Sequence, residues 1–451
     1  MVSFRCEVHQ NPYLPEDGTQ VDAVVTVTVT ADVDGAGPAA TARPAHGEAA
    51  GTAAGDPAGA GTGRAAGGGP DAVEVILLDC SGSMSGGRKM AEAQRAAAVA
   101  VDTLRDGVGF AVICGTSGAS MIYPDEGLAI VSDRTRQEAK ARIGTLAAGG
   151  GTAIGAWLRA ARALMLLAPD AIHHALLLTD GQNNEPPDTL AEALAACEGV
   201  FQCDARGVGA DWKVDELRLI ATALLGSVAL LRQPADIAAD FQAVIQTVMD
   251  RGVRDVRLRI WAPRGARIRF VRQVSPQIDE LTGRAVAVSD LVQDYPTGAW
   301  GSETRDYHVC VDVPPAPVGG RRLAARISLL DGEQTLSTTK VEVIWTDDSV
   351  ESTRINEVVA HYTGQAELAR AIQDGIRARQ AGDEDSAVTA LGRAAQLAAA
   401  AGDELTLRRL EKVVEIVDAQ TGQVRPRHSV EKLDEMDLDA SSTLTVTPKT
   451  P

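Results

Sequence analysis

The 451-residue sequence has few aromatic side chains, no long apolar run and no basic stripe, and each absence excludes a class of protein. Aromatic residues make up only 3% of the chain, so its cores must be built from Ala, Val, Leu and Ile. No stretch of about 18 apolar residues occurs, which argues against a membrane-spanning helix. The formal charge of −18 argues against nucleic acid and anionic membranes as partners.

Cysteine patterns and targeting signals are also missing. The six cysteines form no CxxC pair, so neither a disulfide framework nor a zinc site is predicted. The N-terminal MVSFRCEVHQNPYLPEDG has no apolar signal region. We therefore expect a soluble protein in the reducing cytoplasm. Frequent Ala and the preference for Arg over Lys point to a GC-rich bacterial source.

A chain of this length should fold as more than one domain, and changes in composition predict the boundaries. Apolar strands such as VEVILLD alternate with helical patterns, which is typical of an α/β, doubly wound, mostly parallel sheet covered on both faces. Short alternating segments punctuated by PRG, TGR, PPAP and DGE predict an antiparallel β-sandwich. The predicted segments are an N-terminal strand segment joining the sandwich (1–33), a disordered Gly/Ala-rich linker (34–71), the α/β domain (72–250), the sandwich (251–347), a helical domain (352–420) and a disordered tail (421–451).

Two of these segments carry more specific expectations. In the predicted strand at 21–30, Val and Thr alternate strictly from residue 25 to residue 30, as in the strands of the sandwich. The strand has no evident pairing partner of its own, so we predict that it pairs into the sandwich. In the helical domain, Gly382 and Gly402 should end helices, and Asp383 and Asp403 should cap the helices that follow.

Five oxygen-bearing residues predict a metal site on the α/β domain. Asp79 and Asp180 each end an apolar strand, and the carboxyl ends of parallel strands meet at one sheet edge. Mg²⁺ prefers such oxygen ligands, and Mn²⁺ and Ca²⁺ are alternatives, whereas the absence of His and Cys argues against zinc. The predicted ligands are Asp79, Ser81, Ser83, Thr152 and Asp180. A simpler interpretation of Ser81 or Ser83 is a cap for the helix after Arg88.

These residues resemble the metal-ion-dependent adhesion site of the von Willebrand factor A (vWA) domain. The match comprises the Asp-x-Ser-x-Ser motif Asp79-Cys80-Ser81-Gly82-Ser83, the family's threonine at Thr152 and its second aspartate at Asp180. The resemblance covers roughly residues 72–250, and no ligand departs from the pattern. It implies that the two serines bind Mg²⁺ directly, that the threonine binds in the ligand-competent state, and that the aspartates act largely through water. The last coordination position is left to a carboxylate of the partner.

The resemblance implies a function without catalysis. We expect a Mg²⁺-dependent module that binds an Asp or Glu of a protein partner, in a bacterial signalling or assembly complex. An alternative is an adaptor subunit of a MoxR- or chelatase-type AAA+ ATPase; this chain has no GxxxxGK[ST] loop of its own. A Mg²⁺-dependent hydrolase is disfavoured because no nucleophile or general base is evident.

The tail suggests a further alternative. Thr443, Thr445 and Thr447 follow an acidic run in a segment that we expect to be accessible. They are candidate phosphorylation sites, which an FHA-domain protein would read through an Arg cluster. An inert tail is the competing interpretation.

Overall fold

A computed structural model describes residues 2–31 and 69–448. The predicted disordered linker, 34–71, lies outside the described residues up to residue 68. The first described segment consists of strands. They are β1 (Val2–Gln10), β2 (Tyr13–Leu14) and β3 (Gln20–Ala31).

The next segment alternates strands and helices, as expected for a doubly wound fold. Its elements are β4 (Ala72–Asp79), α1 (Lys89–Thr103), β5 (Gly109–Gly115), β6 (Ala119–Tyr123), β7 (Ala129–Ile130), α2 (Asp133–Ile143), α3 (Ile154–Met165), β8 (Ile172–Thr179), α4 (Pro187–Cys197), β9 (Gln202–Val208), α5 (Val214–Ala223), β10 (Val228–Leu231) and α6 (Ile237–Met249). The sheet order is β10-β9-β8-β4-β5-β6, with β7 also paired to β5. Strands β10 to β5 in this order are parallel, and β6 and β7 run antiparallel.

The order of strands places a topological switch point at the carboxyl ends of β4 and β8. The chain leaves β4 toward β5 on one side, and later returns to β8 on the other. The loops after β4 and β8 therefore diverge and leave a crevice, which is where doubly wound proteins bind ligands. Every residue of β4 is buried, because helices cover both faces of the sheet.

The β-sandwich follows the α/β unit and includes the N-terminal strands. Its elements are β11 (Val256–Trp261), β12 (Arg267–Ser275), β13 (Asp279–Glu280), β14 (Val286–Ser289), β15 (Val292–Pro296), β16 (Thr304–Asp312), β17 (Arg321–Asp331) and β18 (Gln334–Trp345). One sheet has the order β1-β3-β16-β12-β13 and the other β14-β15-β11-β17-β18-β2. Strand β3 pairs antiparallel with β16, so the N-terminal strand lies in the sandwich as the sequence indicated. Val25, Val27 and Val29 face the shared core of the two sheets.

Helices dominate the C-terminal segment. Its elements are α7 (Ser349–Thr353), α8 (Glu357–Gln380), α9 (Glu384–Ala401), α10 (Glu404–Val413), β19 (Val414–Asp418), β20 (Gln423–Pro426) and α11 (Lys432–Ala440). Gly402 caps α9 with a left-handed backbone, and Asp383 and Asp403 accept backbone hydrogen bonds at the starts of α9 and α10. None of the helices within residues 2–31 and 69–448 has the length and apolar character of a membrane span.

The predictions for the chain's C-terminal part were partly wrong. Residues 414–418, expected to be helical, form a strand that pairs with β20. The tail, expected to be disordered from 421, instead folds as β20 and α11, because it buries Val424, Met436 and Leu438. The acidic run on α11 is paired with arginines rather than solvated, as in the 2.7 Å contact between Asp439 and Arg218.

The three candidate phosphorylation sites are not equally accessible. Thr445 donates a hydrogen bond of 2.7 Å from its hydroxyl to the Val274 carbonyl, and the Thr443 carbonyl accepts one from Ile278 N. Thr447 is exposed. The expectation of a freely accessible threonine segment is therefore wrong for Thr445, whose hydroxyl is bound to the sandwich.

Candidate metal centre

Asp79 ends β4 at the switch point and is fully buried. Its Oδ1 accepts a 2.7 Å hydrogen bond from the Ser81 backbone N–H, and its Oδ2 accepts one of 2.5 Å from the Thr179 hydroxyl. Burial raises the pKa of the Asp79 carboxyl; the hydrogen bonds from Ser81 and Thr179 oppose this rise, and the nearby Asp180 carboxylate adds to it. The carboxylate is thus held in one orientation in an environment that would favour a neighbouring positive charge.

A chain of short contacts connects the turn after β4 with the loop after β8. Ser81 Oγ lies 2.9 Å from Ser83 Oγ, and Ser83 Oγ donates a 2.5 Å hydrogen bond to Asp180 Oδ1. Asp180 Oδ2 accepts from Lys89 Nζ at 2.6 Å. Asp180 is fully buried whereas Ser83 is exposed, so the cluster reaches the surface on the side of Ser83.

The turn that carries the two serines does not use them as helix caps. The N-cap of α1 is Arg88, and the short 3-10 turn Gly82–Ser85 begins at Ser81 without a side-chain cap hydrogen bond. The simpler capping interpretation is therefore wrong for both serines. Their hydroxyls contact each other instead, and that of Ser83 also donates to Asp180.

Thr152 reaches the same place through a glycine-rich loop that is bonded to the serine turn. Gly149 N–H donates to the Cys80 carbonyl at 2.7 Å, and Gly82 N–H donates to the Gly150 carbonyl at 3.0 Å. Gly150 has a φ of +84°, which residues with a side chain rarely adopt. The loop can therefore lie flat against the turn and present Thr152 to it.

The space beside Gly181 shows that the oxygens converge. A methyl group added at Gly181 would lie 3.4 Å from both Ser83 Oγ and Thr152 Oγ1, and 4.0 Å from Asp79 Oδ2. Oxygens from three separate segments therefore surround one small space. Together with the Ser81–Ser83–Asp180 contacts, this brings all five predicted residues into a single cluster.

The donor set fits a hard divalent cation. It offers two carboxylates and three hydroxyls, which are the oxygen ligands that Mg²⁺, Mn²⁺ and Ca²⁺ select. In the described ranges no group of three or more His, Cys, Asp or Glu side chains could hold a metal, so this centre differs from the common carboxylate or imidazole type. Ser81, Ser83 and Thr152 would supply neutral ligands, and Asp79 and Asp180 the negative charge.

Several residues that support the cluster were missed at the sequence level. Asn184 Oδ1 accepts from Thr152 N–H at 2.8 Å, and Asn183 Oδ1 accepts from Ile154 N–H at 3.0 Å, in the first turn of α3. Both asparagines follow Asp180 in the sequence TDGQNNE, so polar side chains directly after the second aspartate were the available signal. They fix the Thr152 loop relative to the Asp180 loop. Lys89 gave no such signal, because a lysine at the start of a helix usually faces solvent.

Comparisons with known proteins find a match for the α/β unit that carries this cluster. The sequence matches a von Willebrand factor type A domain over residues 74–229 and a von Willebrand factor type A C-terminal domain over residues 396–442. The second match includes α11, in line with the folded tail. No match was found among curated proteins.

Solved structures extend the similarity over the whole chain. The von Willebrand factor type A structure from Catenulispora acidiphila is 44% identical, with 98% of this chain aligned to 97% of that one and a TM-score of 0.88. The ArnB paralog VWA2 from Sulfolobus acidocaldarius is 13% identical over 98% of both chains, with a TM-score of 0.59, and so shares the fold alone. Domains of the von Willebrand factor type A kind are generally protein-interaction modules, typically without catalysis. Because 44% identity extends over nearly the entire length, this protein belongs to the von Willebrand factor type A family.

Proposed function

We propose that this protein is a non-enzymatic, Mg²⁺-dependent module that binds an acidic residue of a partner protein. The observation that carries the proposal is the convergence of hydroxyl and carboxylate oxygens around the space beside Gly181, at the switch point of the sheet. A bound cation would supply a positive centre for the carboxylate of a partner's Asp or Glu. Such a centre matters here, because a chain with a formal charge of −18 otherwise repels acidic groups.

The residues of the candidate metal centre would have different roles in this interaction. Ser81, Ser83 and Thr152 would hold the cation, and Ser83, being exposed, lies where a partner can approach. Asp79 is kept in place by Thr179 and by the Ser81 N–H.

We propose a bacterial, cytoplasmic setting for this interaction; the six cysteines are free thiols, as a reducing compartment requires.

Removing one hydroxyl should abolish most of the metal binding without unfolding the protein. We expect Ser81→Ala to lower the affinity for Mn²⁺ or Mg²⁺ by at least about tenfold, since it deletes a donor and its contact with Ser83. Isothermal titration calorimetry of the full chain measures this. The matched control is Ser85→Ala on the same turn, whose hydroxyl bonds only the Gly82 carbonyl and should leave the affinity unchanged.

Partner capture tests the second half of the proposal. Immobilised wild-type protein should retain a partner from a lysate of its own organism in Mg²⁺, and lose it in EDTA. Ser81→Ala should fail in both buffers, whereas Ser85→Ala should behave as wild type. Capture that persists in EDTA and in Ser81→Ala would remove the metal from the mechanism.

A further inference from the structure

Lys89, the first residue of α1, places its ammonium group against the candidate metal centre. Its Nζ lies 2.6 Å from Asp180 Oδ2, and its side chain is only 18% exposed whereas that of Asp180 is fully buried. An ion pair so far out of water interacts much more strongly than one on the surface. Lys89 therefore already provides positive charge at a carboxylate that a divalent cation would need.

A second carboxylate lies next to the same ammonium group. Asp211 Oδ2 is 3.7 Å from Lys89 Nζ, and the Asp211 side chain is 71% exposed. Lys89 thus lies between an inner partner, Asp180, and an outer partner, Asp211. The long, flexible stem of lysine allows its head group to move between two such partners.

We propose that Lys89 is an internal counter-ion that competes with the divalent cation for Asp180 and thereby sets the metal affinity of the site. Without metal, the ammonium group neutralises Asp180. When a cation binds, like charges repel, and the ammonium group moves toward Asp211. The site consequently releases its metal more readily than its five oxygens alone would, so that occupancy depends on the partner. This inference rests on the proposed function, since it assumes a divalent cation at the five oxygens.

Replacing the lysine by an uncharged residue of similar length tests the competition. In Mn²⁺ titrations of the full chain, Lys89→Met should bind at least about tenfold more tightly than wild type, because the repulsion between the ammonium group and the cation is removed while the Asp180 side chain is retained. Lys89→Arg, which retains the charge, should remain within about threefold of wild type. The matched control is Lys213→Met, whose side chain is 56% exposed and pairs with Glu216, and its affinity should not change.

The outer partner gives an opposite prediction. Asp211→Asn should weaken Mn²⁺ binding several-fold, because the displaced ammonium group loses its second carboxylate. Equal or weaker binding by Lys89→Met than by wild type overturns the inference. If wild type binds Mn²⁺ and Lys89→Met shows no higher affinity, only the proposed role of Lys89 is refuted. If neither wild type nor Lys89→Met binds Mn²⁺, the proposed function is refuted as well.

Thermal unfolding supplies a readout that is independent of affinity. In EDTA, Lys89→Met should melt at a lower temperature than wild type, because the buried Asp180 carboxylate is left without a counter-ion. Saturating Mn²⁺ should raise its melting temperature more than that of wild type. If Lys89→Met does not fold in EDTA, the same measurement is made on Lys89→Gln. This variant is uncharged but can still donate a hydrogen bond to Asp180. A smaller Mn²⁺-induced rise in the variant than in wild type would contradict the proposal.

Discussion

Replacing His174 with Gln should lower the free energy of unfolding by about 3 kcal/mol near pH 6, since it removes one member of a buried ion cluster. The His174 side chain is 1% exposed and lies in the centre of the parallel sheet. Its Nδ1 lies 2.8 Å from a Glu74 oxygen, and its Nε2 lies 3.0 Å from Asp204 Oδ2. Because carboxyl groups face both ring nitrogens, we assign the charged imidazolium form, which donates to each of them. Burial raises the pKa of the Glu74 carboxyl, and the interaction with His174 opposes this rise.

The effect should depend on pH in one direction. Although burial alone would lower it, the carboxylates of Glu74 and Asp204 raise the pKa of His174 from 6.5 to about 9. A raised pKa means that the stabilisation by the charged ring is fully present below pH 6.5 and is lost as the pH rises to about 9. The destabilisation caused by His174→Gln should therefore be largest at pH 6 and should shrink toward pH 9.

Urea unfolding of wild type and variant at pH 6, 7.5 and 9 measures this dependence. Taking the difference between the two proteins cancels the titration of groups that the substitution does not touch. His361→Gln is the control, because its ring bonds the Val446 carbonyl rather than a carboxylate. A destabilisation that stays constant from pH 6 to pH 9 would mean that His174 is neutral in the folded protein.

The candidate centre was predictable because a parallel sheet fixes where its strands end. Asp79 and Asp180 follow apolar runs, and their 101-position separation in sequence disappears once β4 and β8 are neighbours. The serine turn and the Thr152 loop were predictable for a related reason, since their glycines permit close approach of the backbone. Local sequence was thus sufficient to predict the position of a residue in the candidate centre where that residue lies at the end of a strand or in a glycine-containing loop.

Charge pairs between distant segments could not be predicted in the same way. Lys89 meets Asp180 across 91 positions, and Arg218 meets Asp439 across 221. No local pattern distinguishes these side chains from solvated ones. The carboxylates that contact His174 likewise lie on neighbouring strands, 100 and 30 positions away in the sequence. For the same reason the acidic run on α11 was interpreted as a solvated tail.

Truncating Leu438 tests the folded tail directly. Leu438 is fully buried against the core formed by α8, α9 and α10, so Leu438→Ala should lower the free energy of unfolding by about 3 kcal/mol. In a disordered tail the same substitution would change stability by less than about 0.5 kcal/mol. The matched control is Leu444→Ala, whose residue is 49% exposed and should have that smaller effect.

Hydrogen exchange locates the effect within the chain. Helix α11 packs with α10 and α8 and also contacts β10 and α5, so it joins the helical segment to the α/β unit. Its amides should be protected in wild type and should lose protection in Leu438→Ala, whereas those of α9 change less. Rapid exchange throughout α11 in wild type would contradict a folded tail. Because Arg218 and Arg232 hold α11 against the α/β unit through Asp439 and Asp434, loosening this helix should also weaken the attachment of the helical segment to the domain that carries the candidate metal centre.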